Sequence, residues 1–223
     1  MENRIKELVL SAGADVCGIA ETERFDDAPE GFRPGDIFPS CRSVIVFGKR
    51  LPKGLAAVSP RIVYNHATEI NLRELDRIAY AAALDLQDMG AAAVPLPSDT
   101  PYDYWHKDTL TGKGLLSMRH AAVMAGLGSL GKNTLVINKT YGNMLNFGAV
   151  LTDLELRSDE LSEELCIKSC RKCLDACPQK ALDGETARQH LCRPYAYGDN
   201  DRGFGIVNCN RCRVVCPRAF GVK

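Results

Sequence analysis

The sequence predicts a mixed α/β (α+β) body followed by a small cysteine-rich module. Three observations carry that reading. Helix-like and strand-like runs alternate from residue 5 to about residue 154. Eight of the ten cysteines fall between Cys166 and Cys216, and none lies between Arg42 and Leu165. Charge divides at the same place. From Cys166 onward there are 11 Lys and Arg against 5 Asp and Glu, leaving 17 against 23 in the rest. The module is formally +6 and the body −6.

The body's elements follow from periodicity. Ile5 to Ala12 has one apolar face and predicts a helix. Val16 to Ala20 and Ser43 to Gly48 read as strands, the second a continuous apolar run. Asn71 to Met89 predicts the longest helix, with Leu72, Leu75, Ile78, Ala79, Ala82 and Leu86 on one face and Gly90 as its stop. Ala92 to Leu96 reads as a strand, and Leu115 to Ala125 as a helix. Thr134 to Asn138 and Phe147 to Leu154 read as strands. The stretch Pro97 to Gly114 has no periodicity but holds Tyr102, Tyr104, Trp105 and His106. Irregular stretches of this length form functional lids or binding loops, or cover a core edge. The acidic, polar run Arg157 to Glu164 is the expected join. The expected units are therefore residues 1–156 and 157–223.

Composition bounds the function. The chain has 223 residues, 45% hydrophobic and 25% charged, which is ordinary for a globular protein. Equal numbers of basic and acidic residues, 28 each, argue against nucleic acid as a partner held by bulk basicity. No apolar run approaches about 18 residues, so no membrane helix is expected. The opening Met1-Glu2-Asn3-Arg4-Ile5 lacks the basic and apolar regions of a signal peptide, so a cytoplasmic location is expected. A disulfide framework needs an oxidising compartment, which leaves metal ligation as the reading of the clustered cysteines.

Spacing names the metal group. The first run is Cys166-Ile-Lys-Ser-Cys170-Arg-Lys-Cys173-Leu-Asp-Ala-Cys177-Pro178. The second is Cys209-Asn-Arg-Cys212-Arg-Val-Val-Cys216-Pro217. Both contain C-x2-C-x3-C-P, the core of the bacterial two-cluster ferredoxin motif, in which the last cysteine ligates the other cluster. Each proline turns the chain away from the cluster. A four-thiolate zinc site from Cys170, Cys173, Cys209 and Cys212 would strand four cysteines and leave both C-P endings unexplained. Two [4Fe–4S] clusters use all eight. The expected crossed assignment gives one cluster Cys166, Cys170, Cys173 and Cys216, and the other Cys177, Cys192, Cys209 and Cys212. Cys192 stands in for a first cysteine missing from the second motif. With about −2 on each oxidised cluster, the module's charge falls to roughly +2.

Other motifs are weaker. Gly126-Leu-Gly128-Ser-Leu-Gly131 satisfies G-x-G-x-x-G, but a helix precedes it and a strand follows, the reverse of a dinucleotide site. That turn can still bind an anionic or polar group through backbone N–H groups. Gly128, Ser129, Lys132, Asn133 and Thr134 are the candidate cofactor-binding residues. None of His66, His106, His120 and His190 pairs with another at ligand spacing. Cys17 reads as a small core residue, and Cys41 has no assigned role.

Several segments together resemble one family. They are Gly13-Ala-Asp-Val-Cys-Gly-Ile-Ala20, Ser43-Val-Ile-Val46, Ala125-Gly-Leu-Gly-Ser-Leu-Gly-Lys-Asn-Thr134, Leu151-Thr-Asp-Leu154 and the cysteine runs with the displaced Cys192. They resemble the epoxyqueuosine reductase family, whose plan reductive dehalogenases share. The likeness is specific in Ala125 to Thr134 and in the module, and loose before about residue 110. It implies a nitroreductase-like sandwich body that binds base-off cobalamin, with a ferredoxin-like two-cluster module. Single electrons would pass through the clusters to the corrinoid, and the protein would be a reductase. The family's catalytic aspartate aligns with Gly112, which cannot donate a proton; Asp108 or His106 of the same loop are substitutes. The chain ends seven residues after Cys216, so the resemblance implies a short form without the C-terminal helical-repeat domain. Two other readings stand beside this one: an electron donor or activator for another redox protein, and a flavin (FMN) relative. The expected partners are an electron-donor protein and a small-molecule or protein substrate, with a homodimer by analogy.

Overall fold

The computed structural model describes residues 1–59 and 61–222. In chain order, the first elements are α1 (Glu2–Ser11), β1 (Val16–Glu21), α2 (Pro34–Ile37), β2 (Ser43–Arg50) and α3 (Arg61–Asp88). Then come β3 (Ala93–Leu96), β4 (Tyr104–His106), β5 (Thr111–Lys113), α4 (Met118–Met124), β6 (Ser129–Leu130), β7 (Val136–Ile137) and β8 (Leu145–Thr152). The C-terminal part holds α5 (Lys172–Asp175), α6 (Gln189–Ala196), β9 (Tyr197–Asp199), β10 (Gly205–Val207) and α7 (Arg211–Val214).

The body is built on an antiparallel sheet in the order β1-β2-β8-β3. Strand β2 is apolar along most of its length because both its faces are covered. Val44 and Val46 face a core shared with Ala121, Ala122 and Ala125 of α4 and the turn after it. Ile45 and Phe47 face Ile5 and Val9 of α1 and Leu75, Ile78 and Leu86 of α3. The strand alternation thus sorts side chains between two helix layers. Pro95 lies in β3, at the sheet's edge, where a missing N–H breaks no ladder.

Two expectations need correction. The long helix begins at Arg61, ten residues before Asn71. Its early part packs on β10 and on a small cluster of Leu51, Leu55, Tyr64 and Met144. Only Tyr64 is buried there, while Ile62, Val63 and Ile70 are exposed, so no apolar stripe announces the helix. The loop Pro97 to Gly114 is not wholly irregular, since β4 and β5 pair as a short hairpin. Its residues Tyr104, Trp105 and His106 are all exposed, so no in–out alternation marks the strand.

The expected join covers an open edge. Asp159 accepts from the Ile19 N–H at 2.9 Å and its own N–H donates to the Ile19 carbonyl at 2.9 Å. The Glu21 N–H donates to Ser158 Oγ at 2.8 Å. Edge strand β1 is thereby satisfied by the chain on its way to the cysteines. Two glycines let that later chain lie close. Gly126 has φ +72° and a Cβ there would meet the Glu160 carbonyl oxygen at 2.2 Å. Gly142 has φ +61° and a Cβ would meet the Arg218 carbonyl oxygen at 2.0 Å. Each needs both a left-handed backbone and no side chain.

Gly142→Ala should therefore destabilise by on the order of 3 kcal/mol, from left-handed strain and a backbone clash. Tm should fall by about 6 to 12 °C in thermal denaturation. An unchanged Tm would mean the Arg218 backbone moves away freely.

Candidate functional site

The eight C-terminal cysteines gather in two groups of four. Cys166, Cys170, Cys173 and Cys216 line one small cavity together with Gly131, Lys132 and Asn133. Burial first, then the charges of Cys216 and Cys166, push the Cys173 thiol up. The Cys216 thiol is raised by burial, with Cys166 and Cys170 adding to it. The second group is Cys177, Cys192, Cys209 and Cys212. Cys212 is pushed up to about 11, chiefly by burial, with Cys192, Cys209 and Cys177 adding and Arg213 opposing. Cys192 is raised by burial and by Cys177 and Cys209. Each group joins a C-x2-C pair to the C-P cysteine of the other run. Helices α5 and α7 occupy the same place in the two runs and pack on each other.

The surroundings fit an anionic sulfur-rich group. Arg218 Nε and Asn210 Nδ2 are buried donors with no acceptor among the described residues. Arg218 lines the first cavity, and Asn210 lies between Cys209 and Cys212. Buried donors of this kind cost free energy unless an acceptor is supplied. Thiols held above their ordinary pKa become ligands when a cation stabilises their thiolates. Among the described residues no three Cys, His, Asp or Glu groups converge on a single-ion site. Zinc, with sulfur at about 2.3 Å, requires that convergence. A four-iron cube spreads its ligands further apart.

The glycine turn sits at the seam between the sheet and the cysteine loops. Lys132 Nζ donates to the carbonyls of Lys168 and, at 3.0 Å, Cys170. Asn133, buried, donates to the Cys212 carbonyl at 2.7 Å. Ser129 Oγ accepts from the Leu165 N–H at 2.8 Å. Thr134, at φ +59°, accepts from Arg119 through its carbonyl at 2.8 Å and its hydroxyl at 2.6 Å. Gly128 lies against the Ile137 carbonyl, where a Cβ would come within 2.2 Å. Lys132 and Asn133 face the first cysteine cavity, and none of these five residues lines the large cavity of the body.

That large cavity has a volume of about 650 Å³. It opens on the α4 side of the sheet, with Phe25, Phe32, Met118 and Phe147 supplying apolar wall. The loop Pro97 to Gly114 forms one side through Tyr102 and Gly112. Gln189 of α6 pins that loop: it accepts from the Gly112 N–H at 3.0 Å and donates to the Gly112 carbonyl at 3.1 Å. A Cβ on Gly112 would meet the Trp105 ring at 3.0 Å, so a side chain there needs the ring to shift by a few tenths of an ångström. His106 and Asp108 are exposed and do not line the cavity. The titratable groups that do include Tyr102, Asp99 and His120. Tyr102 donates to Asp99 at 2.8 Å, and its pKa is raised by burial and then by that carboxylate. His120 shares a hydrogen with Ser117 Oγ at 2.7 Å. Loss of water contact, then the Arg119 charge, lowers its pKa.

Arginines are the feature the sequence reading passed over. Arg24, Arg119, Arg193 and Arg213 line the cavity with Lys113, against Asp27 and Asp99. Arg193 lies 5.1 Å from the Tyr102 ring centre and 5.2 Å from that of Trp105, which themselves stack at 5.6 Å. Arg193 directly follows Cys192 and Arg213 directly follows Cys212, so the second cysteine group adjoins the cavity wall. Proximity to thiolates explains these charges equally well at the level of sequence; only the fold turns them toward the cavity. Cys17 and Cys41 belong to the body. Burial pushes Cys17 up to about 12 and raises Cys41, whose Sγ donates to the Ser43 carbonyl at 3.4 Å.

No protein-family model matches the chain. Sequence and fold both relate it to two kinds of reductase. It is 36% identical to an epoxyqueuosine reductase of Lactococcus garvieae over 113 residues, 46% of this chain and 32% of that one. It is 29% identical to a tetrachloroethene reductive dehalogenase of Desulfitobacterium hafniense over 232 aligned positions, 95% of this chain and 38% of that one. The chain thus spans about a third of the length of these relatives. An epoxyqueuosine reductase solved with a tRNA stem loop superposes at a TM-score of 0.66 and 19% identity, covering 98% of this chain and 65% of that one. A reductive dehalogenase, described as B12-dependent, superposes at 0.68 and 21%, covering 96% and 31%. These likenesses establish relation to both groups and a shared fold. No described helix is long and apolar enough to cross a membrane.

The His120 pKa gives a signed pH dependence. Its folded value lies below the ordinary value of about 6.5. Between the two values the unfolded chain binds more protons, so stability rises with pH there. The contribution is complete above about 6.5 and is lost as pH falls toward the folded pKa. Urea midpoints measured from pH 5 to 8 should therefore slope less in His120→Gln than in the parent. Identical slopes would show that His120 is free to protonate in the folded state.

Proposed function

We propose that this chain is an iron–sulfur redox protein of corrinoid type, in which two [4Fe–4S] clusters serve a base-off cobalamin held in the large cavity. One observation carries the reading: two groups of four cysteines stand beside a cavity of about 650 Å³, and the cysteines of one group are chain neighbours of the cavity wall. The relatives' reductase and B12-dependent dehalogenase descriptions support it.

When bound, the clusters supply one-electron transfer and the corrinoid supplies a strongly reducing metal centre. The chain's own residues do the rest. Cys166, Cys170, Cys173 and Cys216 would hold one cluster, and Cys177, Cys192, Cys209 and Cys212 the other. Lys132 and Asn133 fix the carbonyls of Cys170 and Cys212, and Ser129, Gly128 and Thr134 hold the turn that carries them. In this reading the turn serves the clusters rather than the body's cofactor directly. The aromatic loop, pinned by Gln189, excludes water from one side of the cavity. Tyr102, kept protonated by burial and Asp99, holds a proton at its hydroxyl beside the cavity. Residues 1–156 form the cofactor body and 157–223 the cluster module, in a cytoplasmic setting that preserves the thiols.

A second reading rests on Gly112. Gly112 has no acidic group where the resemblance expects one, and the Trp105 ring lies 3.0 Å from where its Cβ would be. That favours an electron donor or activator for another corrinoid protein, with the cavity taking no substrate.

Two experiments separate these outcomes. Anaerobically reconstituted protein should carry about eight irons and eight sulfides per chain. Cys173→Ala, Cys216→Ala and the double variant should each lose the same cluster, about four irons, while Cys173→Ala with Cys212→Ala loses both. Different losses for Cys173→Ala and Cys216→Ala would refute the crossed assignment. Titration of the same protein with hydroxocobalamin should give a base-off absorption spectrum. A protein that keeps both clusters but binds no corrinoid leaves the donor reading, and a flavin spectrum would replace the corrinoid with FMN.

A further inference from the structure

We propose that the arginine-lined end of the large cavity is a phosphate-binding site. This deepens the reading above, since it concerns the same cavity, and rests on it only for the source of the phosphate.

Three guanidiniums converge there. Arg119 comes from α4, Arg193 from α6 and Arg213 from α7, and all three line the cavity. They stand close enough to repel one another: the charges of Arg193 and Arg213 help lower the Arg119 pKa, after the larger effect of lost water contact. None of the three forms an ion pair with a carboxylate among the described residues. Their described hydrogen bonds go to uncharged acceptors. Arg119 donates to Thr134, Arg193 to the Tyr102 hydroxyl at 3.1 Å, and Arg213 to the Asn143 carbonyl. Each guanidinium carries five N–H donors, so most remain for a ligand.

Cations on a cavity wall without a carboxylate partner cost free energy unless an anion completes them, and the cysteines that adjoin Arg193 and Arg213 do not line the cavity. The two cavity carboxylates do not do so. Asp99 accepts from Tyr102, and Asp27 makes no ion pair with any of the three. Three convergent guanidiniums offer more donors than the two oxygens of one carboxylate can take. A phosphate, with more acceptor oxygens and a delocalised charge, suits planar forks from several directions. The rings of Tyr102 and Trp105 lie against Arg193 and limit its motion. The phosphate belongs either to the cofactor's nucleotide tail or to the substrate.

The test uses cluster-loaded protein in a phosphate-free buffer at low salt. Inorganic phosphate is titrated by calorimetry and by the emission of Trp105, the only tryptophan, which lies beside Arg193. Wild type should bind with a Kd of roughly 1 mM or tighter. Arg119→Met and Arg193→Met should each weaken binding roughly 10- to 100-fold, and Arg193→Lys less. Iron content and thermal unfolding check that each variant is folded. Binding weaker than about 10 mM in wild type overturns the site, and requires no variant. Unchanged affinity in both folded methionine variants also overturns it.

Two corrinoids then assign the source. Cobalamin carries a phosphodiester and cobinamide does not. A tenfold or greater preference for cobalamin, erased by Arg193→Met, supports the site with the cofactor as source. Equal affinity for both, with phosphate still bound, supports it with the substrate as source. If neither corrinoid binds while the phosphate result holds, the corrinoid reading fails and the phosphate site stands.

Discussion

The stretch of body chain from Lys132 to Asn143 is the constraint on which the candidate centre depends. Its side chains hold both cysteine runs by their backbones: Lys132 to the Cys170 carbonyl, Asn133 to that of Cys212, and Asn143 to that of Arg213. The two runs are separated by 31 residues between Cys177 and Cys209. Neither could form a crossed group alone, because each group draws on both runs. A common anchor removes most of the freedom that would otherwise oppose bringing them together. Buried amides suit this task, since an unmade hydrogen bond inside the seam would cost more than a made one gains. Gly142 belongs to the same stretch, and its lack of a side chain sets how near the returning chain can lie.

Local patterns made some of this legible. Strand β2 announced itself because six successive residues are buried, and α1 because Ile5 and Val9 share a face. The expected cysteine grouping followed from the ferredoxin spacing, with Cys192 the only other cysteine in the C-terminal module. The sheet order was not legible. Strand β8 pairs with both β2 and β3, and that depends on contacts far apart along the chain, such as Ser43 with Thr152 and Ala93 with Thr152, rather than on any local period. The first ten residues of α3 were hidden for a related reason. Their partners are β10 and Met144, far along the chain, and they bury only Tyr64.

The glycine turn shows how much the fold adds to a motif noticed in sequence. Its residues have the composition of an anion-binding turn, yet in the fold their polar groups go to carbonyls and N–H groups of the cysteine loops. The arginines that line the large cavity lie elsewhere, two of them one residue after a cysteine. In sequence, an arginine following a ligand cysteine reads as compensation for thiolate charge. Whether it faces the cysteines, solvent or a cavity depends on how a short helix is set, and α6 and α7 place Arg193 and Arg213 on the cavity wall.

Arg193 and Arg213 therefore stand between two places where negative charge can reside. On one side is the second cysteine group, in which Cys192 and Cys212 are raised by burial and by neighbouring thiolates and eased by Arg193 and Arg213 respectively. On the other is the cavity, where a phosphate would complete the same guanidiniums. Opposite charges favour one another and like charges do not, so cations shared between two anions couple them. In the proposed reading, an electron added to a cluster held by this group would increase its negative charge and attract the arginines, and an anion bound in the cavity would draw on the same cations and make that cluster harder to reduce. The coupling is reciprocal, as any linkage between two binding equilibria must be. On that reading, an arginine pair in this position would tie the readiness of the inner electron carrier to what occupies the cavity, with no moving part beyond the two side chains.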